Sequence, residues 1–238
     1  MRLAAAAALF ALLASPTQAQ ERTQFVLAIS WQPAFCETRP NKPECESQTE
    51  DRFDAGHFAL HGLWPQPRSR DYCGVDEATV RIDEDGDWDR LPAPELSREL
   101  WAELQVAMPG TQSGLERHEW IKHGTCYDGD AEGYFADSLA MLDAINDSPV
   151  ARLFAGSIGQ RLTQTEIRAA FDVAFGPGAG ERVRVSCVED GSRRLISELT
   201  IGLTGDIDGP ASIAGRLQDA RPTDGGCDAG EVDAVGLQ

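Results

Sequence analysis

Hydrophobic and polar residues alternate in several stretches of the chain, and this alternation predicts strands. The clearest cases are residues 23–31 and 195–203, in which most alternate residues are large and apolar. Shorter strands are predicted over residues 56–64 and 182–188. One face of each of these strands is therefore expected to lie against a hydrophobic core.

Apolar residues recur at helical spacing in residues 94–107 and 132–145, which predicts two helices. A third helix is predicted to begin at the capping-box sequence of residues 163–166 and to end near Phe175, before a Gly-Pro-Gly stop. The acidic residues 81–89 are predicted to form a solvated loop. Because strands and helices do not alternate regularly, the pattern favours a single α+β domain, with a central antiparallel sheet flanked by helices.

The first 19 residues are typical of a signal peptide. Arg2 precedes an apolar run at residues 3–14, and small and polar residues follow it up to Ala19. This run is too short to span a bilayer, and no later stretch is long enough, so we expect no membrane anchor. A buried N-terminal helix is the alternative. We therefore predict an exported protein, periplasmic or extracellular, whose folded domain comprises residues 20–238.

Six cysteines follow the predicted signal peptide, and an even number in an exported chain indicates a disulfide framework. No two of them have the close spacing of a zinc-binding pair, which argues against a structural zinc site. The sequence by itself leaves the pairing of the six cysteines open.

The formal net charge of −18 argues against a protein that binds nucleic acid non-specifically, because such binding depends on clustered Lys and Arg. An enzyme that handles a nucleic acid through a small local site is still compatible with this charge. The acidity also has a simpler explanation in solubility.

The segment from His118 to Cys126 concentrates ionisable residues. On a helical projection, His118, Glu119, Lys122 and His123 share one face about 140° wide, and Trp120 and Ile121 point the other way. Such a face suits acid–base chemistry, and Gly124 is the expected helix stop. A solvated surface of mixed charge is the alternative.

The same segment differs from the zinc-binding motif of metalloproteases, which has two histidines four residues apart. Here His118 and His123 are five apart, which predicts that they point too far apart to share one metal ion. The ammonium of Lys122 between them would also oppose a divalent cation. The sequence therefore predicts no metal and no cofactor, and a zinc hydrolase is kept as an alternative.

His61 lies between Leu60 and Leu63, where a lone histidine is more often part of the core than a catalyst. The two segments together, HGLWP at residues 61–65 and HEWIKHGTC at residues 118–126, resemble the signature segments of the ribonuclease T2 family. Residues 27–36 and 108–114 extend the resemblance, which covers the C-terminal third only loosely.

This resemblance implies an α+β fold and an endoribonuclease that cleaves single-stranded RNA by metal-free transphosphorylation with low base specificity. The ribose 2′-OH attacks phosphorus, the 5′-oxygen leaves, and a 2′,3′-cyclic phosphate forms and is hydrolysed to a 3′-phosphate. DNA lacks the 2′-OH and is not a substrate. A catalytically silent member that binds RNA or a partner protein is the alternative.

The resemblance also implies roles for single residues. His123 matches the general base and His61 the general acid, and these two labels are exchangeable without a bound substrate. His118 matches a phosphate contact, and Glu119 and Lys122 match the pair that stabilises the pentacovalent state. Histidine suits proton transfer because its ordinary pKa of about 6.5 lets both forms be populated near neutral pH.

Substrate contacts and disulfides are implied in the same way. Trp64 and Tyr72 match aromatic residues that stack on a base, with core packing as the alternative role. Gln66 stands where some relatives have an acidic residue, so the base preference stays open. The implied bridges are Cys73–Cys126 and Cys187–Cys227, with Cys36–Cys45 as the remaining pair. We expect a monomer with RNA as its partner.

Overall fold

The structure, a computed structural model, describes residues 23–205 and 213–237. The predicted signal peptide lies outside these residues, so it stays a prediction. None of the helices within the described residues is long and apolar enough to cross a membrane.

The strands are β1 Phe25–Ser30, β2 Ala59–Pro65, β3 Arg161–Thr163, β4 Val183–Asp190, β5 Arg193–Leu203 and β6 Ala229–Glu231. The α-helices are α1 Gln32–Thr38, α2 Pro43–Glu46, α3 Glu77–Glu84, α4 Arg98–Ala107, α5 Leu115–Lys122, α6 Ala131–Asn146, α7 Pro149–Ala155, α8 Gln164–Phe175 and α9 Ile213–Asp219.

The long strand β5 organises the sheet. It pairs antiparallel with β4 along one edge and with β1 along the other, and β2 pairs antiparallel with β1. Beyond the end of β1, β5 meets β6 in a parallel pair at Leu195, and β6 carries the short strand β3. The predicted α+β fold is confirmed, and the sheet is antiparallel except for this single pair.

Each of the four predicted strands is present within a few residues of its predicted bounds. In β5, Leu195, Leu199, Ile201 and Leu203 are fully buried, so the alternation in the sequence does mark a core face. The predicted strand at residues 56–64 becomes β2, in which a β-bulge lies opposite Ala28 and Ile29. Gly62 pairs with Ala28 and Leu60 with Ile29, which leaves His61 as the extra residue.

The predicted helices are also present. In α6, Tyr134, Phe135 and Leu142 are fully buried, and the capping box that starts α8 is formed by Thr163 and Glu166. The helix predicted from residue 94 begins at Arg98, because the hydroxyl of Ser97 accepts the backbone N–H of Leu100 and caps it there. Helices α1, α2, α7 and α9 were not predicted.

The prediction of a solvated loop at residues 81–89 is wrong. Helix α3 ends within this range, capped at its start by the carboxylate of Asp76, and a 3₁₀ turn, Trp88–Arg90, follows. Asp83 is buried although the surrounding sequence is acidic. The burial of Asp83 comes from tertiary contacts of a polar side chain, which a pattern of apolar positions does not reveal.

All six cysteines are paired as the resemblance implied, in the bridges Cys36–Cys45, Cys73–Cys126 and Cys187–Cys227. The first closes the loop between α1 and α2. The second ties the segment before α3 to the end of the helical segment after α5, and the third ties β4 to the segment before β6.

The bridges close loops of different length, with sequence separations of 53 for Cys73–Cys126 and 9 for Cys36–Cys45. Bridging a longer loop restricts the unfolded chain more. In the chain-entropy description, the Cys73–Cys126 bridge therefore contributes about 1.5 kcal/mol more to stability than the Cys36–Cys45 bridge. We expect the double Cys→Ser variant of the long-loop bridge to lose that much more unfolding free energy. Urea denaturation measures both losses; equal losses would contradict the prediction.

Candidate active site

The bulge in β2 turns His61 out of the regular strand pattern, and its side chain is about a third exposed. Its Nδ1 lies 2.6 Å from Oε2 of Glu198, which β5 contributes from 137 residues away. Its Nε2 lies 3.6 Å from Oε1 of Glu119. One imidazole is therefore held between two carboxylates that come from different elements.

Helix α5 supplies the other ionisable groups. Ile121 and Glu119 are buried, His118 and Lys122 are partly exposed, and the helix ends at Lys122. His123 is the C-cap, and a 3₁₀ turn begins at Gly124. A side chain at Gly124 would collide with the ring of Trp120, so the turn needs a glycine. The predicted helix and its stop are confirmed.

Glu119 lies at the centre of the cluster, with a side chain only 1% exposed. The indole Nε1 of Trp64 donates a 2.9 Å hydrogen bond to its Oε2, and its Oε1 faces Nε2 of His61 at 3.6 Å and Nε2 of His118 at 3.9 Å. A Cβ on Gly62 would overlap Glu119, so this carboxylate reaches the cluster only because β2 has a glycine there.

The pKa values of His61 and His123 are shifted in opposite directions. Burial alone would lower the pKa of His61, but the hydrogen bond to Glu198 and the charges of Glu119 and Glu198 raise it above its ordinary 6.5. Burial lowers the pKa of His123 to about 3, assisted by the positive charges of Lys122, His118 and His61. His61 therefore favours the protonated form and His123 the neutral form.

Burial also acts on Glu119, whose pKa is raised above its ordinary 4.5. The charges of His61 and His118 and the hydrogen bond from Trp64 oppose that rise. Because Glu119 is buried among proton carriers, its protonation is coupled to that of both histidines.

Three residues that surround these groups were not predicted from the sequence: Glu198, Asp83 and Trp88. Asp83 lies 2.7 Å from Nδ1 of His118, and Trp88 stacks on the His118 ring with 4.4 Å between ring centroids. Neither the acidic stretch before α5 nor the polar position in β5 carries a pattern that would have singled them out. Their roles depend on how α3 and β5 approach the cluster.

The residues expected to contact a base lie around the cluster. The Trp64 ring is edge-on to His61 at 5.3 Å and tilted against His123 at 5.6 Å. Gln66 is half-buried and donates to the Trp64 carbonyl at 3.4 Å. Tyr72 donates a backbone hydrogen bond to the Lys122 carbonyl at 2.8 Å, which joins it to the end of α5.

The spacing argument against a shared metal is wrong. His118, Glu119 and His123 each offer one atom that could bind a metal ion, and these three atoms lie within 4.8 Å of one another. His123 is the C-cap, and its ring lies edge-on to that of His118 with 6.3 Å between centroids, so a spacing of five residues does not keep the two rings apart. Whether the protein acts without a metal stays a prediction.

A pocket of about 360 Å³ opens beside His61. Residues of the loop closed by Cys36–Cys45 form one wall, with Arg39 and Lys42 among them, and Trp88 and Glu198 belong to other walls. The ammonium of Lys42 lies 5.4 Å from the centre of the Trp88 ring. The pocket therefore joins the histidine cluster to two basic side chains in an otherwise acidic protein.

Comparison with known proteins places the chain in a family. The sequence profile of the Ribonuclease T2 family matches residues 22–212. The chain is similar to Ribonuclease I of Escherichia coli K12, with 32% identity over 221 residues, which cover 84% of this chain and 82% of that protein. It is also similar to Ribonuclease 3 of Arabidopsis thaliana, with 28% identity over 54% of this chain and 55% of that protein.

Solved structures share the fold. The structure of RNase NT in complex with 5′-AMP superposes with a TM-score of 0.52 at 19% identity, covering 79% of this chain and 87% of that one. Japanese pear S3-RNase superposes with a TM-score of 0.51 at 18% identity, covering 78% and 86%. The matched profile and the E. coli relative show that the chain belongs to the ribonuclease T2 family.

Proposed function

We propose that this protein is an exported endoribonuclease that cleaves single-stranded RNA by metal-independent transphosphorylation, through a 2′,3′-cyclic phosphate to 3′-phosphate ends, with low base specificity. The observation that carries the proposal is the pair of opposed histidines, His61 and His123, beside the buried carboxylate of Glu119. The names of its relatives, ribonucleases from bacteria and plants, support RNA as the substrate.

The opposed pKa values support an assignment of the two proton transfers. His123, with a pKa lowered to about 3, is neutral and accepts the proton of the attacking 2′-OH. His61, with a raised pKa, is protonated and donates to the departing 5′-oxygen. The opposed pKa values support this order of the two labels, which the sequence leaves exchangeable.

The remaining groups act on the charge that grows on the phosphorane oxygens. Nε2 of His61 and Nε2 of His118 both face the same oxygen of Glu119, so their directions converge on one point. A phosphate bound beside the two rings contacts His118 and the ammonium of Lys122, which balance the developing negative charge. Glu119 keeps the two rings aimed and stabilises the pentacovalent state with Lys122.

The pocket beside His61 suits the nucleotide that leaves, because the general acid must lie next to the leaving oxygen. Arg39 and Lys42 supply positive charge there for the RNA backbone. The base on the attacking side stacks on Trp64, which lies against His123, and contacts Gln66 and Tyr72. Stacking contributes about 1–3 kcal/mol and tolerates any base, which supports low base specificity.

Export rests on the predicted signal peptide and is supported by the three disulfides, which are typical of oxidising compartments. We propose that the protein acts as a monomer on RNA, in the periplasm or outside the cell. The alternative is a catalytically silent member of the family that binds RNA or a partner protein. Catalytic turnover of RNA distinguishes the enzyme from this alternative.

Cleavage of RNA in the presence of EDTA is the first expected result, with single-stranded DNA left intact because it lacks the 2′-OH nucleophile. Release of acid-soluble nucleotides measures the reaction, and chromatography of a dinucleotide digest identifies the cyclic phosphate. Loss of activity on chelation would favour a metal hydrolase using His118, Glu119 and His123. No release from RNA under any condition would favour the silent member.

Replacing His61 or His123 removes one of the two proton transfers of the cleavage step. We expect His61→Ala and His123→Ala each to lower kcat on a dinucleotide by about 10²–10⁴-fold. His118→Ala should lower kcat less and raise KM, because a phosphate contact is also made in the ground state. Thermal melting controls for folding, and a loss below about tenfold at His61 or His123 would contradict the assignment.

The pH dependence of kcat/KM follows from the sign of each shift. The acid His61 must be protonated, so activity falls as pH rises through its raised pKa; the base His123 must be neutral, so activity falls only as pH drops towards about 3. Glu198→Gln removes the charge that favours protonated His61, so the alkaline limb should move to lower pH.

Glu189→Gln is the matched control, because Glu189 is exposed on β4 and pairs with Arg194 away from the cluster. It should leave the alkaline limb in place. If the limb of the Glu198 variant coincides with that of the wild type, Glu198 does not set the titration of the general acid.

A further inference from the structure

His118 is held along its edge by a residue outside the two sequence motifs. Oδ1 of Asp83 lies 2.7 Å from Nδ1 of His118, and Oδ2 of Asp83 accepts a 2.6 Å hydrogen bond from the hydroxyl of Tyr72. The Asp83 side chain is 1% exposed. Both oxygens of a buried carboxylate therefore have partners, and one of these partners belongs to the cluster.

The same short segment holds the face of the ring. Trp88 stacks on His118 with 4.4 Å between centroids and 20° between planes, and its Nε1 donates to the Asp83 carbonyl at 3.2 Å. Asp83, in the last turn of α3, and Trp88, in the 3₁₀ turn that follows, are thus coupled to each other as well as to His118. An imidazole fixed along one edge and one face has little freedom to rotate.

The contact with Asp83 determines which ring nitrogen carries a proton. An ionised carboxylate only accepts hydrogen bonds, so Nδ1 of His118 must be the donor. Burial alone would raise the pKa of Asp83, but the hydrogen bonds from His118 and Tyr72 keep it below its ordinary value. In both protonation states of His118, Nδ1 therefore donates its hydrogen bond to Asp83. Nε2 is the nitrogen that faces Glu119.

We propose that Asp83 is a positioning residue that, with the Tyr72 hydroxyl and the Trp88 ring, holds His118 with Nε2 turned towards the scissile phosphate, to which Nε2–H donates when the ring is protonated. The catalytic part of this inference rests on the proposed function, whereas the orientation of the ring does not. Burying a carboxylate costs desolvation energy that an apolar residue would avoid, so a role for its charge accounts for its presence better than packing does.

Tyr72 gains a second role from this arrangement. Its backbone has a φ of +51°, which is unusual for a bulky residue and persists only where the surroundings impose it. Its N–H donates to the Lys122 carbonyl at 2.8 Å, and the neighbouring Cys73 is bonded to Cys126. These contacts fix the hydroxyl on Asp83, so the tyrosine acts on His118 as well as on a base.

The experiment measures Asp83→Ala in two backgrounds, wild type and His118→Ala, with kcat/KM on a dinucleotide. If Asp83 acts through His118, its loss costs about tenfold to 100-fold in the wild type and less than about twofold where His118 is already absent. A comparable loss in both backgrounds would mean that Asp83 only supports the fold, and an unchanged wild-type rate would also overturn the proposal.

Tyr72→Phe keeps the aromatic ring and removes only the hydroxyl. We expect kcat/KM to fall by about two- to tenfold, as for the loss of one hydrogen bond. Tyr127→Phe is the matched control, because its hydroxyl also donates to a carboxylate, Asp137, and it should have no effect. An unchanged rate in Tyr72→Phe would leave base stacking as the only role of Tyr72.

Nitrogen NMR of the imidazoles gives a readout independent of activity, and the chain has only four histidines to assign. The neutral ring of His118 should be in the Nδ1–H form in the wild type and should shift towards Nε2–H in Asp83→Ala. The opposite tautomer in the wild type would overturn the proposal. If the protein cleaves no RNA, the proposed function fails, but this measurement still tests the positioning of His118.

Discussion

The buried carboxylate of Glu119 is the constraint on which the rest of the site depends. A charge with 1% exposure is stable only if donors and opposite charges surround it, and here the indole of Trp64 and the imidazoles of His61 and His118 do so. Each of these partners is thereby given an orientation. The glycine in the first motif has a matching explanation, because any side chain at Gly62 would occupy the space that Glu119 fills.

Two of the histidines are held by the same arrangement of carboxylates. His61 and His118 each have Nδ1 on a carboxylate from another element and Nε2 towards Glu119. The two carboxylates that contact Nδ1 come from different layers of the fold. Glu198 reaches His61 from the sheet, on β5, and Asp83 reaches His118 from helix α3. This links the site to the fold: strand pairing places the first and the packing of α3 on α5 places the second.

His123 differs, because its ring packs on Trp64 and His118 with positive charge around it. Histidines of one cluster are thus driven to opposite protonation states by their neighbours, which is what acid–base catalysis requires of a pair. The arrangement is costly for folding, since it buries charge and brings cations together. Local rules that are broken in this way are expected at functional sites.

The sequence by itself determined the main strands, four of the helices and the two motifs that carry the histidines, because these depend on apolar periodicity, capping residues and local spacing. It also supplied, through the family resemblance, the pairing of the cysteines. Only the tertiary structure decided that His61 occupies a bulge, that the ring of His123 lies near that of His118, and that Asp83 and Glu198 hold the rings. These features arise from contacts between polar residues 35 and 137 positions apart, and a polar residue leaves no periodic trace in the sequence of the element that buries it.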